Sequence, residues 1–322
     1  VTKVKRDGKE LDPNQIYLLQ SSLYFQEIVK IKNIFEKENI DFVFLKGLPL
    51  HLYFEKTHPQ RIYADCDVLV NKKDFLEAEK ILLKNGYKKA DTSFSSTQKK
   101  LKDKEVENAY FKVINGFSVV FDLHLEVVFM MTQLGRLEVL YPQKLIDQLT
   151  KEFLKEKRKI IIQGSSFYVL SSIHLVVYLA LHFFHHNFRG AFRLEFLDKV
   201  IRKSLLSTSD WKNIASTINN YQLTSFVYPV FVLLKKYYQT PVPPSVRVGR
   251  DRPLHLNIFN DEPRIGAGIS RFKNIFFLSP YPLWRKIFVF TNLEVIYTIS
   301  WIVFRRLSSF FSSRRASLSG PS

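Results

Sequence analysis

The chain has 322 residues, of which 46% are hydrophobic and 24% charged, and this balance predicts a folded core and excludes a disordered chain. The net charge of +18 favours polyanionic partners, either nucleic acid, nucleotide phosphates or an anionic membrane surface, without choosing among them. The single cysteine, Cys66, excludes an intrachain disulfide and a zinc site built from cysteines.

The first part of the sequence alternates between helix-like and strand-like apolar patterns. The predicted elements, in chain order, are a helix over 13–39, a strand over 42–45, a helix over 48–54, a strand over 63–70 and a helix over 73–85. Asn115-Gly116 then separates two apolar runs, which is the strongest short signal for a β-hairpin. A polar, Lys-rich loop over 91–107 precedes this hairpin.

The pattern from 136 to 240 is helical, with the clearest helices over 170–184 and 192–206. We therefore predict a fold with α/β character in its N-terminal half and mostly helices afterwards. The predicted organisation is a catalytic core over 1–135, a helical domain over 136–240, a Pro- and Arg-rich irregular segment over 241–283, and an apolar C-terminal helix with a basic tail over 284–322.

Three carboxylates form a candidate metal site. Asp65 and Asp67 are two residues apart on a predicted strand, so their side chains point to the same face and can hold one metal ion or bridge two. Asp122 lies inside an apolar strand, where an unpaired carboxylate is costly to bury. Hard cations such as Mg²⁺ prefer such oxygen ligands. Taken alone, an Asp-x-Asp pair at the end of a strand is common by chance and often only caps a loop, and Asp122 alone is no stronger a signal.

Several segments resemble a known family. The string Phe44-Leu45-Lys46-Gly47, the segment 61–70 that contains Asp65-Cys66-Asp67, and the later Phe121-Asp122-Leu123-His124 resemble the uncharacterised nucleotidyltransferase family 5. This family is a branch of the polymerase-β-like nucleotidyltransferase superfamily. The resemblance covers about residues 15–235, and is most specific from Lys46-Gly47 to Asp67.

The resemblance implies a small mixed sheet with flanking helices, followed by a mostly helical half. It also implies that Asp65, Asp67 and Asp122 bind Mg²⁺ or Mn²⁺, and that the Lys46-Gly47 turn lies near the triphosphate of a nucleoside triphosphate substrate. A glycine allows backbone N–H groups to approach phosphate, and a lysine adds a positive charge. The broader superfamily has Gly-Ser at this turn, so Lys-Gly is a departure from it.

Two further residues are candidates for binding the nucleotide. Arg61 precedes the aspartate pair and is suited either to neutralising phosphate or to an ordinary surface position. His124 lies on the same strand face as Asp122, where it can orient a carboxylate, touch substrate or form part of the core.

His182, His185 and His186 have the spacing that brings side chains to one face of a helix. We expect them to line a cleft and contact base or phosphate together with Arg189 and Arg193, in preference to holding a metal ion.

The predicted helix over 284–311 is aromatic and flanked by arginines, which is typical of a helix on an anionic membrane, although a buried core helix fits equally well and a true span less well. No secretory signal pattern follows Val1, so we expect a cytoplasmic protein, with peripheral membrane contact as an alternative.

The resulting hypothesis is a metal-dependent enzyme that transfers a nucleotidyl group to an acceptor that the sequence does not identify. The alternatives are a non-catalytic module that binds nucleotide or a membrane surface, and a basic nucleic-acid-binding protein, of which the last is less favoured. Steeply salt-dependent binding that is insensitive to Asp65→Asn would indicate the nucleic-acid-binding protein.

Overall fold

The computed structural model describes residues 5–6, 9–10, 12–63, 65–90, 106–127, 141–186, 188 and 190–244. The described residues fall into two compact units. The first unit contains the described residues up to 90, residues 106–127 and residues 146–178, and the second contains residues 141–145 and the described residues of 179–244.

The described part of the chain has nine strands and eight helices. The strands are β1 (Lys5–Arg6), β2 (Lys9–Glu10), β3 (Phe42–Phe44), β4 (Cys66–Val70), β5 (Lys88–Lys89), β6 (Glu107–Ile114), β7 (Phe117–His124), β8 (Lys157–Ile162) and β9 (Ser165–Leu170). The helices are α1 (Pro13–Lys37), α2 (Leu48–Glu55), α3 (Phe75–Lys84), α4 (Gln143–Lys155), α5 (Ser172–His185), α6 (Ala191–Lys203), α7 (Thr208–Asn220) and α8 (Thr224–Tyr238).

Seven strands form one mixed sheet in the order β5-β6-β7-β4-β3-β9-β8. Strand β4 pairs in parallel with β7 and antiparallel with β3, while β3 pairs in parallel with β9. The sheet and its helices confirm the predicted fold class, and helices α5 to α8 confirm that the later part of the described chain is mostly helical.

The hairpin of β8 and β9 is a difference from the sequence analysis, which expected helices throughout 136–240. Its two-residue turn, Gln163-Gly164, has positive φ at both positions, as a tight hairpin turn requires. The periodicity of a short apolar run does not distinguish a strand from a buried helix. The pairing partner would decide between them, but it is distant in the sequence. Here the partner is β3, so the sheet extends beyond the expected boundary at residue 135.

Some predictions fall outside the described residues. They include most of the loop predicted over 91–107, the irregular segment beyond residue 244 and the whole C-terminal helix over 284–311. Among the helices that the structure describes, none has the length and apolar character needed to cross a membrane.

Helix α1 packs on the sheet through aromatic residues. Asp12 caps its first turn by accepting a hydrogen bond from the Asn14 amide. The ring of Phe25 in α1 lies 5.6 Å from that of Phe167 in β9, and the Tyr24 hydroxyl donates a hydrogen bond to the Val120 carbonyl of β7. Tyr24 is completely buried, so this contact ties the helix to the strand that carries Asp122.

The second unit is held by its own apolar and polar contacts. The ring of Phe184 lies 4.9 Å from that of Phe226, and Trp211 of α7 lies 6.1 Å from Phe231 of α8. The buried carboxylate of Asp198 accepts hydrogen bonds from the Thr240 hydroxyl and from the guanidinium of Arg202. These bonds fix the chain after α8 against α6, since Thr240 follows the helix and Asp198 lies within α6.

Candidate metal centre

Three aspartates converge where β4 runs parallel to β7. Asp67 in β4 is directly opposite Asp122 in β7, and Asp65 immediately precedes β4. Strand β4 begins at Cys66, whereas the sequence analysis expected it to begin at residue 63. One carboxylate oxygen from each of the three lies within 4.8 Å of the others. Among the residues that the structure describes, this is the one such group of three or more His, Cys, Asp or Glu side chains.

Lys46 reaches the same group from the neighbouring strand. It follows β3, which is antiparallel to β4, and the Leu45 amide donates a hydrogen bond to the Asp67 carbonyl over 3.0 Å. The Lys46 ammonium contacts the carboxylate of Asp67 and lies 3.4 Å from that of Asp65. A single cation is therefore held between two of the three carboxylates.

Gly47 allows this close approach. Its φ of +99° lies in a region that L side chains rarely adopt. A Cβ atom at this position would lie 3.2 Å from the backbone carbonyl oxygen of Asp65. Helix α2 starts at the next residue, so the Lys46-Gly47 turn and the N-terminus of α2 both lie beside the aspartate pair.

His124 holds the second oxygen of Asp67. The imidazole Nε2 lies 3.0 Å from Asp67 Oδ1, and both side chains are buried. On the other side of the ring, Nδ1 lies 3.4 Å from a carboxylate oxygen of Glu107, which is half exposed. Asp67 therefore has a lysine on one oxygen and a histidine on the other.

Burial and charge give the groups around Asp67 unusual proton affinities. Burial raises the pKa of Asp67, but Lys46 and His124 outweigh this effect, and the pKa lies well below its usual range. Burial likewise disfavours the charged forms of Lys46 and His124, yet the neighbouring carboxylates hold the pKa of each above its ordinary value. The three groups thus favour a carboxylate between two cations.

Asp122 is in a different environment. Burial and the negative charge of Asp67 raise the pKa of Asp122 to about 7. The hydrogen bonds that Lys46 and His124 make to the neighbouring Asp67 do not extend to this carboxylate. Asp122 is therefore the member of the group whose charge is least compensated.

The donor set fits a divalent metal ion. Three carboxylates supply the hard oxygen ligands that Mg²⁺ and Mn²⁺ prefer. The Lys46 ammonium already occupies a cation position between two of them, which shows that the group is arranged to surround positive charge. Several closely spaced carboxylates disfavour one another's charge, and a bound cation removes that penalty.

The structure also gives ring contacts of the other candidate residues. The exposed side chain of Arg61 places its guanidinium over the ring of Tyr63, at 4.4 Å from the centroid. His182 and His186 lie on adjacent turns at the end of α5, and the guanidinium of Arg193 lies over the ring of Phe192. Arg189 lies outside the described residues.

Glu107 was not predicted from the sequence. It pairs with His124 across the β6–β7 hairpin. The sequence nevertheless contained the information that places Glu107, because the two-residue turn at Asn115-Gly116 determines the register of the hairpin. Counting back from that turn places residue 107 opposite residue 124.

The sequence model of a family described as uncharacterised nucleotidyltransferases matches residues 14–239. The chain therefore belongs to this family, as the sequence resemblance predicted. A solved structure, that of an antigenic nucleotidyltransferase-like protein from Paracoccidioides brasiliensis, is similar at 13% identity with a TM-score of 0.36, over 69% of this chain and 88% of that one. No curated protein matches the sequence.

Proposed function

We propose that the protein is a metal-dependent nucleotidyltransferase, which transfers a nucleotidyl group from a nucleoside triphosphate to an acceptor hydroxyl. The observation that supports this proposal most directly is the convergence of Asp65, Asp67 and Asp122 in a chain that belongs to a nucleotidyltransferase family. The proposed metal ions are Mg²⁺ or Mn²⁺, which match the oxygen ligands.

Each residue of the site has a role that follows from its position. Asp65 and Asp67 hold the metal ion, and His124 keeps the Asp67 carboxylate oriented through its hydrogen bond. When bound, the metal ion neutralises the triphosphate and stabilises the charge that develops on its oxygens. The Lys46 ammonium, which has a flexible stem, turns from the carboxylates to the phosphate oxygens.

The transfer step needs a proton acceptor and a leaving group. An oxygen of the acceptor forms a bond to the α-phosphorus, the bond from this phosphorus to the bridging oxygen breaks, and pyrophosphate leaves. Asp122 takes the proton of the acceptor hydroxyl, because its carboxylate faces the pair and is held by neither Lys46 nor His124. Catalysis consists mainly of positioning and charge neutralisation.

Calorimetry of nucleotide binding, with and without Mn²⁺, tests the site. We expect the wild-type chain to bind nucleoside triphosphate only with the metal ion, and the Asp65→Asn/Asp67→Asn variant to lose this binding. The matched control is Glu38→Gln/Glu77→Gln, which removes the same charge from exposed side chains at the end of α1 and in α3 and leaves the site intact. The control variant should bind as the wild type does.

Two other outcomes contradict the proposal. Equal binding by wild type and aspartate variant would show that Asp65 and Asp67 do not hold the metal ion on which nucleotide binding depends. Metal-independent binding that weakens steeply between low and high salt, in both proteins, would indicate a basic polyanion-binding protein, since counterion release makes such binding salt-dependent.

If metal-dependent binding is found, transfer of a label from the α-phosphate of the nucleotide to fractionated cell components identifies the acceptor.

A further inference from the structure

A second group of potential metal ligands lies at the end of α5, within the second unit. Nε2 of His182 and Nε2 of His186 are 3.1 Å apart, and the ring centroids are 4.5 Å apart. The two residues are one helical turn apart, and the His186 amide donates a hydrogen bond to the His182 carbonyl. Both side chains are half-buried, so the backbone and the surrounding residues restrict the two rings.

The distance between the nitrogens agrees with joint coordination of one ion. Imidazole nitrogens bind a transition-metal ion at about 2.1 Å, so two of them lie about 3.1 Å apart when the angle at the metal is about 95°. Adjacent ligands in square-planar and octahedral coordination subtend such an angle, and these geometries are typical of Cu²⁺ and Ni²⁺. The wider tetrahedral angle of Zn²⁺ would require a small separation of the rings.

A hydrogen bond between the two rings accounts for the distance without a metal ion, and it keeps both nitrogens directed at each other. Entry of a cation then replaces this bond, because the ring that donates it can carry its proton on Nδ1 instead, which leaves both Nε2 lone pairs for the ion and both imidazoles neutral. The electrostatics are favourable, because the last turn of a helix carries partial negative charge from its unpaired carbonyl groups. Both histidines lie at this end of α5, where a bound cation is stabilised.

We propose that His182 and His186 form a binding site for one transition-metal ion of the Cu²⁺, Ni²⁺ or Zn²⁺ class, with water in the remaining positions. Its nitrogen ligands distinguish it from the aspartate group, whose oxygen ligands suit Mg²⁺ or Mn²⁺. The site was the less favoured interpretation of the three-histidine pattern in the sequence. The 3.1 Å approach of His182 Nε2 and His186 Nε2 is what changes that order.

His185 provides an internal control. Its ring lies 5.4 Å from that of His186, farther than the 4.5 Å between the rings of His182 and His186. Replacing His185 removes one of the eight histidines without removing either proposed ligand. A loss of Cu²⁺ binding caused only by the smaller number of histidines would appear equally in variants of His182, His185 and His186.

The test is Cu²⁺ titration of the full chain, without a histidine tag, followed by electron paramagnetic resonance. Wild type should bind one Cu²⁺ tightly, with hyperfine structure from two equivalent nitrogens. His182→Gln and His186→Gln should each weaken this binding by at least about tenfold. His185→Gln and Asp65→Asn/Asp67→Asn should bind as wild type does, and circular dichroism checks that every variant is folded.

Several outcomes would overturn the proposal. Equal Cu²⁺ affinity in the wild type and both ligand variants would assign the binding to other histidines. Loss of binding in the aspartate variant alone would assign it to the oxygen site, and one nitrogen in the spectrum in place of two would exclude a chelate. Thermal unfolding gives a second measurement, because an ion that binds only the folded state raises the midpoint of unfolding. Cu²⁺ should raise this midpoint for the wild type but not for His182→Gln or His186→Gln.

Discussion

The Lys46 ammonium contacts the carboxylate of Asp67, and the Asp67 side chain is buried at 4% exposure while that of Lys46 is largely buried at 17%. A buried pair of this kind is costly to break from one side, since the remaining charge has no compensation. The same two residues lie in the proposed metal site, so we expect stability and metal binding to be coupled at Lys46.

We expect Lys46→Met to destabilise the metal-free protein by about 3 kcal/mol, because Asp67 is left buried with only His124 as a cationic neighbour. Mn²⁺ should restore more stability in this variant than in wild type, since the ion replaces the missing cation. Thermal unfolding in chelator and in Mn²⁺ measures both effects. Lys80→Met is the control, because the exposed Lys80–Glu77 pair contributes about 1 kcal/mol or less.

A smaller loss in Lys46→Met than in the Lys80 control would contradict this coupling. The double variant Lys46→Met/Asp67→Asn adds a second check, because removal of both charges should cost less than the sum of the single changes.

Gly47→Ala should disturb the site as well as the backbone. The new Cβ would lie 3.2 Å from the Asp65 carbonyl, at a φ that alanine rarely adopts. Gly116→Ala is the control for a positive φ, because its φ is +80° and no atom lies within 4 Å of the added carbon. The backbone cost is larger at Gly47, whose φ of +99° and ψ of −159° are adopted almost only by glycine. Only Gly47→Ala should weaken Mn²⁺-dependent nucleotide binding in calorimetry. Equal binding by the two variants would show that the turn does not constrain Asp65.

His124→Gln should lower metal affinity without touching a proposed ligand directly. The loss of an oriented hydrogen bond to a metal-binding carboxylate typically costs about 10–100-fold in affinity. His174→Gln is a suitable comparison, because His174 is also buried and lies 2.8 Å from the carboxylate of Glu152, outside the aspartate group. Mn²⁺ titration should show the loss in the His124 variant alone. If both variants lose affinity equally, His124 acts only through the stability of the fold.

We expect Asp41 to stabilise the folded protein at neutral pH and to lose this effect in acid. Burial raises the pKa of Asp41, but hydrogen bonds from Lys157 and Asn71 outweigh it, and the pKa is lowered from its ordinary value of 3.8. A lowered pKa stabilises the folded state above the unfolded-state pKa, and this stability is lost as the pH falls through the lower, folded-state value. The difference in unfolding free energy between wild type and Asp41→Asn should therefore be constant above about pH 5 and shrink below about pH 4. A difference that stays constant down to pH 2 would contradict the assignment.

Local signals in the sequence predicted several elements correctly. The Asn115-Gly116 pair predicted the hairpin because both residues adopt positive φ in a two-residue turn. Asp12 predicted the start of α1 because its side chain accepts a bond from a free amide of the first turn. Asp65 and Asp67 were expected on one face because strand side chains alternate. Their proposed roles, and those of Asp122, Arg61 and His124, stay predictions.

The sequence by itself determined the local conformations and the family, because turns, caps and short motifs depend on neighbouring residues. The tertiary structure decided which distant groups meet: β7 lies beside β4 and brings Asp122 to Asp67, and β9 joins β3 although its segment was expected to be helical. It also decided that Lys46 and His124 hold opposite oxygens of one aspartate. Strand pairing between distant segments depends on packing summed over the whole sheet, and no local pattern carries that information.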